Sequence, residues 1–455
     1  MKSVFFEKTN VKRAIVFGGG GARGAFEIGV WRALNELDYY ADIVTGTSVG
    51  ALNGALYLTG EQEEAEKLWK ELETQDILNF KPPKDRGGLM YYGKTVTEFM
   101  LQAIKDKGLS GRALEEIVEK VIDSECDIRN KGIVFGLSVF NYETRETENV
   151  YLNDIEEGTL IDYLLASSAF FPLMEKYYID EIPYIDGGYG NNIPVDIALD
   201  EKPDQMVVVD IDGPGYYKQD KRMNQCEYMW IRTNWLLGDM LLFDKQRIEQ
   251  NINLGYFETM KRAKKEEYPG YWYTFHSKQF DYEKERFYLA LHELLIGERS
   301  SNMFRQIDNN AYQKKLLIEL GRKWKKDVDE QNLMLAVIEE TGKIFNISPG
   351  SQYEIIEFQD LIIKRMKQYI SSWDHHEKKV TKLNIMSGKE WRREFFEQLP
   401  LISDRRIAVH LFKWITEGML SFEEPLAYMF LKVKPYSLMI ALYCKYLFSK
   451  ENKEI

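Results

Sequence analysis

The chain has 455 residues, enough for two or three domains, and 44% of them are hydrophobic, enough to fill a substantial core. A net charge of −12 excludes the basic footprint of a nucleic-acid protein, and a well-mixed charged fraction of 29% excludes global disorder. The three cysteines, Cys126, Cys226 and Cys444, stand far apart in no metal-ligand spacing, so free thiols in a reducing, cytoplasmic compartment are expected. The first residues carry only a short apolar stretch and no small-residue cleavage site, so no signal peptide is expected. The strongest apolar run, Leu438 to Cys444, falls far short of the roughly 18 residues of a spanning helix.

Ala14-Ile15-Val16-Phe17 reads as the first strand, followed by a glycine loop, Gly18 to Gly24, and a helix with Val30, Ala33, Leu34 and Leu37 on one side. Strand, glycine loop and helix together aim backbone N–H groups at an anion. Gly19-Gly20-Gly21-Ala22-Arg23-Gly24 formally satisfies the dinucleotide pattern G-x-G-x-x-G. That pattern wants an acidic residue ending the second strand, and Asp42 sits at its beginning instead. An oxyanion hole and a structural glycine turn are the other readings. The second strand, from Ile43, runs into Gly46-Thr47-Ser48-Val49-Gly50 and straight out into a helix. This Gly-x-Ser-x-Gly elbow forces a serine into a strained, exposed turn, and small neighbours let strand and helix approach.

Helices are expected over Gln62 to Thr74, Thr95 to Lys107 and, capped by Ser110, up to Asp123, with an exposed loop from Asn79 to Gly93. Ile133 to Phe140 and Asn149 to Leu152 read as a strand pair, and Leu160 to Ser168 as a helix. A second pair follows, Tyr177 to Ile179 and Pro183 to Ile185, with Asp180-Glu181 at its turn, and then Asp186-Gly187-Gly188. Met206 to Ile211 is a buried strand, a long helix is expected from Trp230 to Arg262, and Tyr271 to Phe275 is a last strand. Beyond residue 280 the apolar spacing turns helical throughout: Phe287 to Leu295, Leu316 to Leu320 and Leu333 to Ile338. A capping box, Ser351 to Glu354, opens another helix, and Asp404 to Glu417 is closed by Gly418. The expected domains are residues 1–280 and a helical region, residues 281–455.

A serine hydroxyl at neutral pH needs a base at about 2.6–3.2 Å. The chain has five histidines and none before His276, so a Ser…Asp…His order is formally open only through His276. Asp186-Gly187 alone is an ordinary turn dipeptide, and an aspartate with a pKa of about 3.9 is a poor base unless burial raises it. Asp180 and Glu181, at a hairpin tip, look solvated. His375-His376 are adjacent, so their rings diverge on a helix, and no metal site is expected.

Taken together, the glycine loop GGGGARG, the elbow GTSVG and Asp186-Gly187-Gly188 resemble the patatin-like phospholipases. Ala166 to Pro172 and Asn192-Ile193-Pro194 are similar to family segments as well, and the likeness runs over residues 10 to 215. The resemblance implies an α/β fold, a three-layer α/β/α sandwich, and leaves the C-terminal all-helical region unexplained. It implies a lipid acyl hydrolase of phospholipase A, lysophospholipase or carboxylesterase type, without metal or cofactor. Ser48 would be the nucleophile and Asp186 its direct base, through an acyl-enzyme. Gly19, Gly20, Gly21, Arg23, Gly24 and Val49 would form or support the oxyanion hole, and Gly46, Gly50, Gly187 and Gly188 would shape the backbone. The expected partner is a lipid or phospholipid ester and no nucleic acid. Lys378, Lys379, Lys382, Lys389, Trp391, Arg392, Arg393, Phe395 and Phe396 interleave in a way that fits peripheral membrane contact or a solvated helix face. The helical region would cover the mouth, bind a partner or drive homodimerisation. Two other classes stay open: a nucleotide-binding module, and a catalytically silent interaction protein.

Overall fold

The computed structural model describes residues 4–78, 101, 108–122, 124–276, 309–329, 332–376, 402–417, 430 and 432–451. The expected loop Asn79 to Gly93, nearly all of the helix Thr95 to Lys107, the positions Phe287 to Leu295 and the run Lys378 to Phe396 lie outside them. The chain divides into two compact units, Met1–Tyr268 with Pro349–Ser351, and Pro269–Ser348 with Gln352–Ile455.

The first unit is a three-layer α/β/α sandwich. In chain order it runs β1 (Arg13–Phe17), α1 (Ala25–Glu36), β2 (Ile43–Thr47), α2 (Val49–Thr59), α3 (Gln62–Glu71), α4 (Thr74–Leu78) and α5 (Arg112–Val121). Then come β3 (Val134–Asn141), β4 (Glu146–Tyr151), α6 (Leu160–Ser167), β5 (Tyr177–Ile179), β6 (Ile182–Asp186) and α7 (Val195–Asp200). The unit closes with β7 (Gln205–Val209), β8 (Glu227–Ile231) and α8 (Lys245–Ala263). One sheet holds all eight strands, in the order β5-β6-β3-β2-β1-β7-β8 with β4 also paired to β3. β8, β7, β1, β2 and β3 are parallel, and β4, β5 and β6 join antiparallel.

The central strands β1, β2, β3 and β7 are buried on both faces, which is why they read as continuous apolar runs and not as alternating ones. Ala14 and Val16 of β1, with Met206 and Val208 of β7, face Val195, Ala198 and Leu199 of α7 on one side. Ile15, Phe17, Val207 and Val209 face the opposite core, built from α1, α2, α6 and α8. Chain order reverses direction at β1, whose neighbours are β2 on one side and β7 on the other. The carboxyl end of such a strand is where doubly wound sheets open a crevice for ligands.

One expected element is corrected here. The stretch from Trp230 to Arg262 is not one long helix: β8 takes Glu227–Ile231, and α8 begins only at Lys245. Gly238 at φ 95 breaks the chain between them, and the Asp244 carboxylate caps α8 by accepting from the Arg247 amide at 2.9 Å.

The second unit, among its described residues, is helical except for one short ladder. Its helices are α9 (Asn309–Trp324), α10 (Leu333–Ile344), α11 (Ile355–His376), α12 (Asp404–Thr416) and α13 (Pro435–Glu451). The expected last strand shrinks to β9 (Thr274–Phe275), paired in parallel with β10 (Gln352–Tyr353) and not with the main sheet. Ser351 to Glu354 is therefore strand and bend ahead of α11, not a capping box. Asp404–Thr416 forms as expected, with Ser403 capping it through the Arg406 amide at 3.3 Å. The buried Glu339 carboxylate organises the start of the unit: its Oε1 accepts from the amides of Tyr271, Trp272 and Tyr273 at 2.7, 2.9 and 3.0 Å. Among the described residues no helix is long and apolar enough to cross a membrane.

Candidate active site

The sheet brings two distant strand ends together. Thr47 of β2 pairs with Ser138 of β3, and Asp186 of β6 pairs with Val139, the next residue along. β4 covers Gly136 to Asn141 on the opposite edge of β3, so β2 and β6 share one edge, end facing end. Ser48, just past β2, thus meets the last residue of β6, and its Oγ donates to Asp186 Oδ2 at 2.6 Å.

Ser48 sits at φ 56 and ψ −129, a conformation that costs energy and that the elbow enforces. A Cβ on Gly46 would lie 2.2 Å from the Gly50 carbonyl oxygen, and one on Gly50 would lie 2.4 Å from that of Phe17, so neither position tolerates a side chain. The Ser48 amide donates to Ser167 Oγ at 2.9 Å, and Ser167 donates onward to the Ser138 carbonyl at 2.8 Å. Asp186 is 6% exposed, and its Oδ1 accepts from the Gly188 amide at 2.8 Å. Burial pushes its pKa up to about 6, against the opposing pull of the Ser48 and Gly188 hydrogen bonds. Gly187 lies flat against β3, where a Cβ would fall 2.0 Å from the Ser138 oxygen.

Both side chains open on a cavity of about 410 Å³ whose walls are almost wholly apolar: Val49, Leu52 and Leu56 of α2, Leu68 and Trp69 of α3, and Leu114, Ile117, Val118 and Val121 of α5. The glycine loop forms one end. The Gly19 amide donates to the Asn192 carbonyl at 3.0 Å, and the Ala22 amide to that of Met240 at 2.7 Å. Gly20 and Gly21 line the cavity between them, and no described residue accepts from their amides. Val49, at the first helical position of α2, presents another amide of the kind left over at a helix start.

The other residues expected around the oxyanion are placed differently. The amide of Gly19 is already committed. Arg23 turns away to outer loops, its Nε donating to the Gly238 carbonyl at 2.9 Å and its guanidinium also reaching the Asp212 carbonyl. Gly24 is a packing residue beneath Val49 and Trp69. His276 lies in the second unit, its amide donating to Tyr353, and the polar partner of Ser48 Oγ is Asp186. No cluster of His, Cys, Asp and Glu suited to a metal ion occurs among the described residues.

Comparison with known proteins agrees with the α/β fold of this unit. The family model for patatin-like phospholipase matches residues 15–199. Over that stretch the chain is similar to the patatin-like phospholipases. Mouse patatin-like phospholipase domain-containing protein 6 is 28% identical over 209 residues, which is 44% of this chain and 13% of that protein. Neuropathy target esterase of Drosophila melanogaster is 25% identical over 204 residues, 43% of this chain and 13% of that protein. A lysophospholipase of Aspergillus terreus is 58% identical over 43 residues, 10% of this chain and 3% of that protein. The chain thus spans only a small part of the length of the relatives it matches.

Four further polar residues of the same unit, Asn192, Ser167, Glu27 and Asn53, surround Ser48, Asp186 and the glycine loop. Asn192, within the segment noted only for its resemblance, clamps the glycine loop from both sides. Its carbonyl takes the Gly19 amide, and its Nδ2 donates to the carbonyls of Gly19 at 3.2 Å and Gly213 at 3.4 Å. Ser167 holds the amide of Ser48. Behind the loop, fully buried Glu27 accepts from Asn53 Nδ2 at 2.7 Å, while Asn53 Oδ1 accepts from Trp69 Nε1 at 2.9 Å. Burial pushes the Glu27 carboxyl well above its usual range, and its bond to Asn53, which in turn takes the Trp69 indole, ties α1 to α2 and α3 there. A signal existed for Glu27 and Asn53: both are polar residues within otherwise apolar or small helical faces.

Proposed function

We propose that the patatin domain is a serine lipid acyl hydrolase in which Ser48 is the nucleophile and Asp186 its base. The observation that carries this is the 2.6 Å Ser48–Asp186 hydrogen bond at the end of an apolar cavity. Asp186 accepts the Ser48 proton as Oγ bonds to the ester carbonyl carbon. The amides of Gly20, Gly21 and Val49 would receive the negative oxygen that develops, as they line the cavity and no described residue accepts from those of Gly20 and Gly21. As the tetrahedral species collapses, the ester C–O bond breaks and Asp186 returns the proton to the leaving alcohol. Water, deprotonated by Asp186, then attacks the acyl-Ser48 ester, releasing the fatty acid and restoring the serine. The apolar walls and the names of the relatives, phospholipase and lysophospholipase, favour carboxylic esters of phospholipids or lysophospholipids as substrates.

A fluorophosphonate probe, which reacts only with an activated serine, tests the reading. Label is expected on the Ser48 peptide of the wild type and absent from Ser48→Ala, as read by mass spectrometry. A folded wild-type protein that stays unlabelled, both in buffer and with lipid micelles, would sink the proposal in favour of an interaction protein.

The pH profile offers a second check. A base with a pKa of about 6 is protonated, and idle, at lower pH. The kcat/KM for p-nitrophenyl butyrate should fall about tenfold per pH unit below about 6 and level off above. An inflection near 7 or higher would point to a different base.

A further inference from the structure

α2 carries more than the nucleophile. Val49, Leu52 and Leu56 follow one another at helical spacing, so a single face of the helix floors the cavity away from Ser48. The same face continues past the cavity, because Leu56 and then Thr59 also border a neighbouring cleft. That cleft is of another character, edged by Glu61, Glu64, Glu71, Glu116 and Lys120. The two hollows meet at Leu56 of α2, Leu68 and its neighbour Leu72 beside α3, and Ile117 and Val121 of α5, which line both.

We infer that Leu56, Leu68, Leu72, Ile117 and Val121 form the partition that fixes how long an acyl chain the site accepts. This rests on the hydrolase reading, since the chain is anchored where its ester carbonyl meets Ser48. From Val49 to Leu56 the helix advances roughly 10 Å at about 1.5 Å per residue. Carbon–carbon bonds of about 1.5 Å, laid out as a zigzag, advance roughly 1.25 Å per carbon. About eight carbons therefore reach the partition. A butyryl chain ends well short of it, whereas a dodecanoyl chain must pass between these five side chains. Beyond them the lining turns charged, and a methylene there gains little, since its transfer is worth about 0.8 kcal/mol only when it leaves water for apolar surroundings. Leu68 and Ile117 are only partly buried on their helices, so each has room to be enlarged toward the hollow.

The test is a ladder of p-nitrophenyl esters from butyrate through octanoate and dodecanoate to palmitate. It compares the full-length wild type with Leu68→Trp, Ile117→Trp and Ile117→Ala. The ratio of dodecanoate to butyrate kcat/KM is expected to fall at least tenfold in both tryptophan variants. In Ile117→Ala the preferred length should move upward, with the palmitate to octanoate ratio rising several-fold. Equal losses along the whole ladder, or an unchanged ladder in variants with wild-type circular dichroism, would overturn the partition. A wild type that turns over no rung, butyrate included, would instead refute the hydrolase reading on which the inference stands.

Discussion

Asp186→Asn is expected to lower kcat/KM for a short ester by roughly 10²- to 10⁴-fold, the range over which positioned general bases act. The amide keeps the shape, so Ser48 stays in place with a partner that takes no proton. The same substitution should make the protein more stable at neutral pH. The Asp186 pKa is raised in the folded chain, to about 6 from an ordinary 3.8, so the folded state binds the extra proton between those values. Stability contributed by that proton is present at low pH and is lost as pH rises through about 6. At about 1.36 kcal/mol per unit, the wild type gives up roughly 3 kcal/mol at pH 8 that the neutral asparagine does not. Urea melts of both proteins at pH 4 and pH 8 measure it. The stability gap should open only at the higher pH, and a variant that is inactive and equally unstable at both would mean that Asp186 is structural.

Asn192→Ala should lower kcat by about 10- to 100-fold with little change in KM. Deleting one oxyanion donor costs about 10²–10³-fold, and Asn192 acts a step away, by holding Gly19 so that the next two amides stay aimed. Asn192→Asp should be worse than alanine, because a carboxylate beside the Gly19 and Gly213 carbonyls repels both and adds negative charge near Asp186. That ordering separates an electrostatic clamp from mere packing, which would rank the near-isosteric aspartate as the milder change. Steady-state kinetics with matched thermal melts decide between them.

Much of this geometry is legible in the residues, for reasons that differ from place to place. The elbow around Ser48 announces itself because only small residues fit at Gly46 and Gly50, so the steric demand is written directly into the sequence. Asp186 is not legible that way, since Asp-Gly is a common turn, and only the family resemblance singles it out. Which strand edge it occupies depends on pairings that no local pattern encodes. The segment after β8 misled for a physical reason. Trp235, Leu236, Leu237, Met240 and Leu241 form an apolar run that suggests a helix, yet Met240 and Leu241 line the cavity from irregular backbone. Asn192 and Ser167 act through main-chain groups of other segments, and a residue whose partner is a distant carbonyl or amide leaves no periodic trace.

The end-to-end meeting of β2 and β6 on β3 also sets when the site comes into being. Ser48 and Asp186 are 138 positions apart, and the strand that receives both lies between them in the chain. While the protein is being synthesised, β1, α1, β2 and α2 can assemble the elbow from nearby segments, but the carboxylate has yet to emerge. The long loop that must close first makes this contact a late one in folding. A chain halted anywhere before β6 would display its serine with no partner carboxylate beside it, so the Ser48–Asp186 pair forms only once β6 has joined β3.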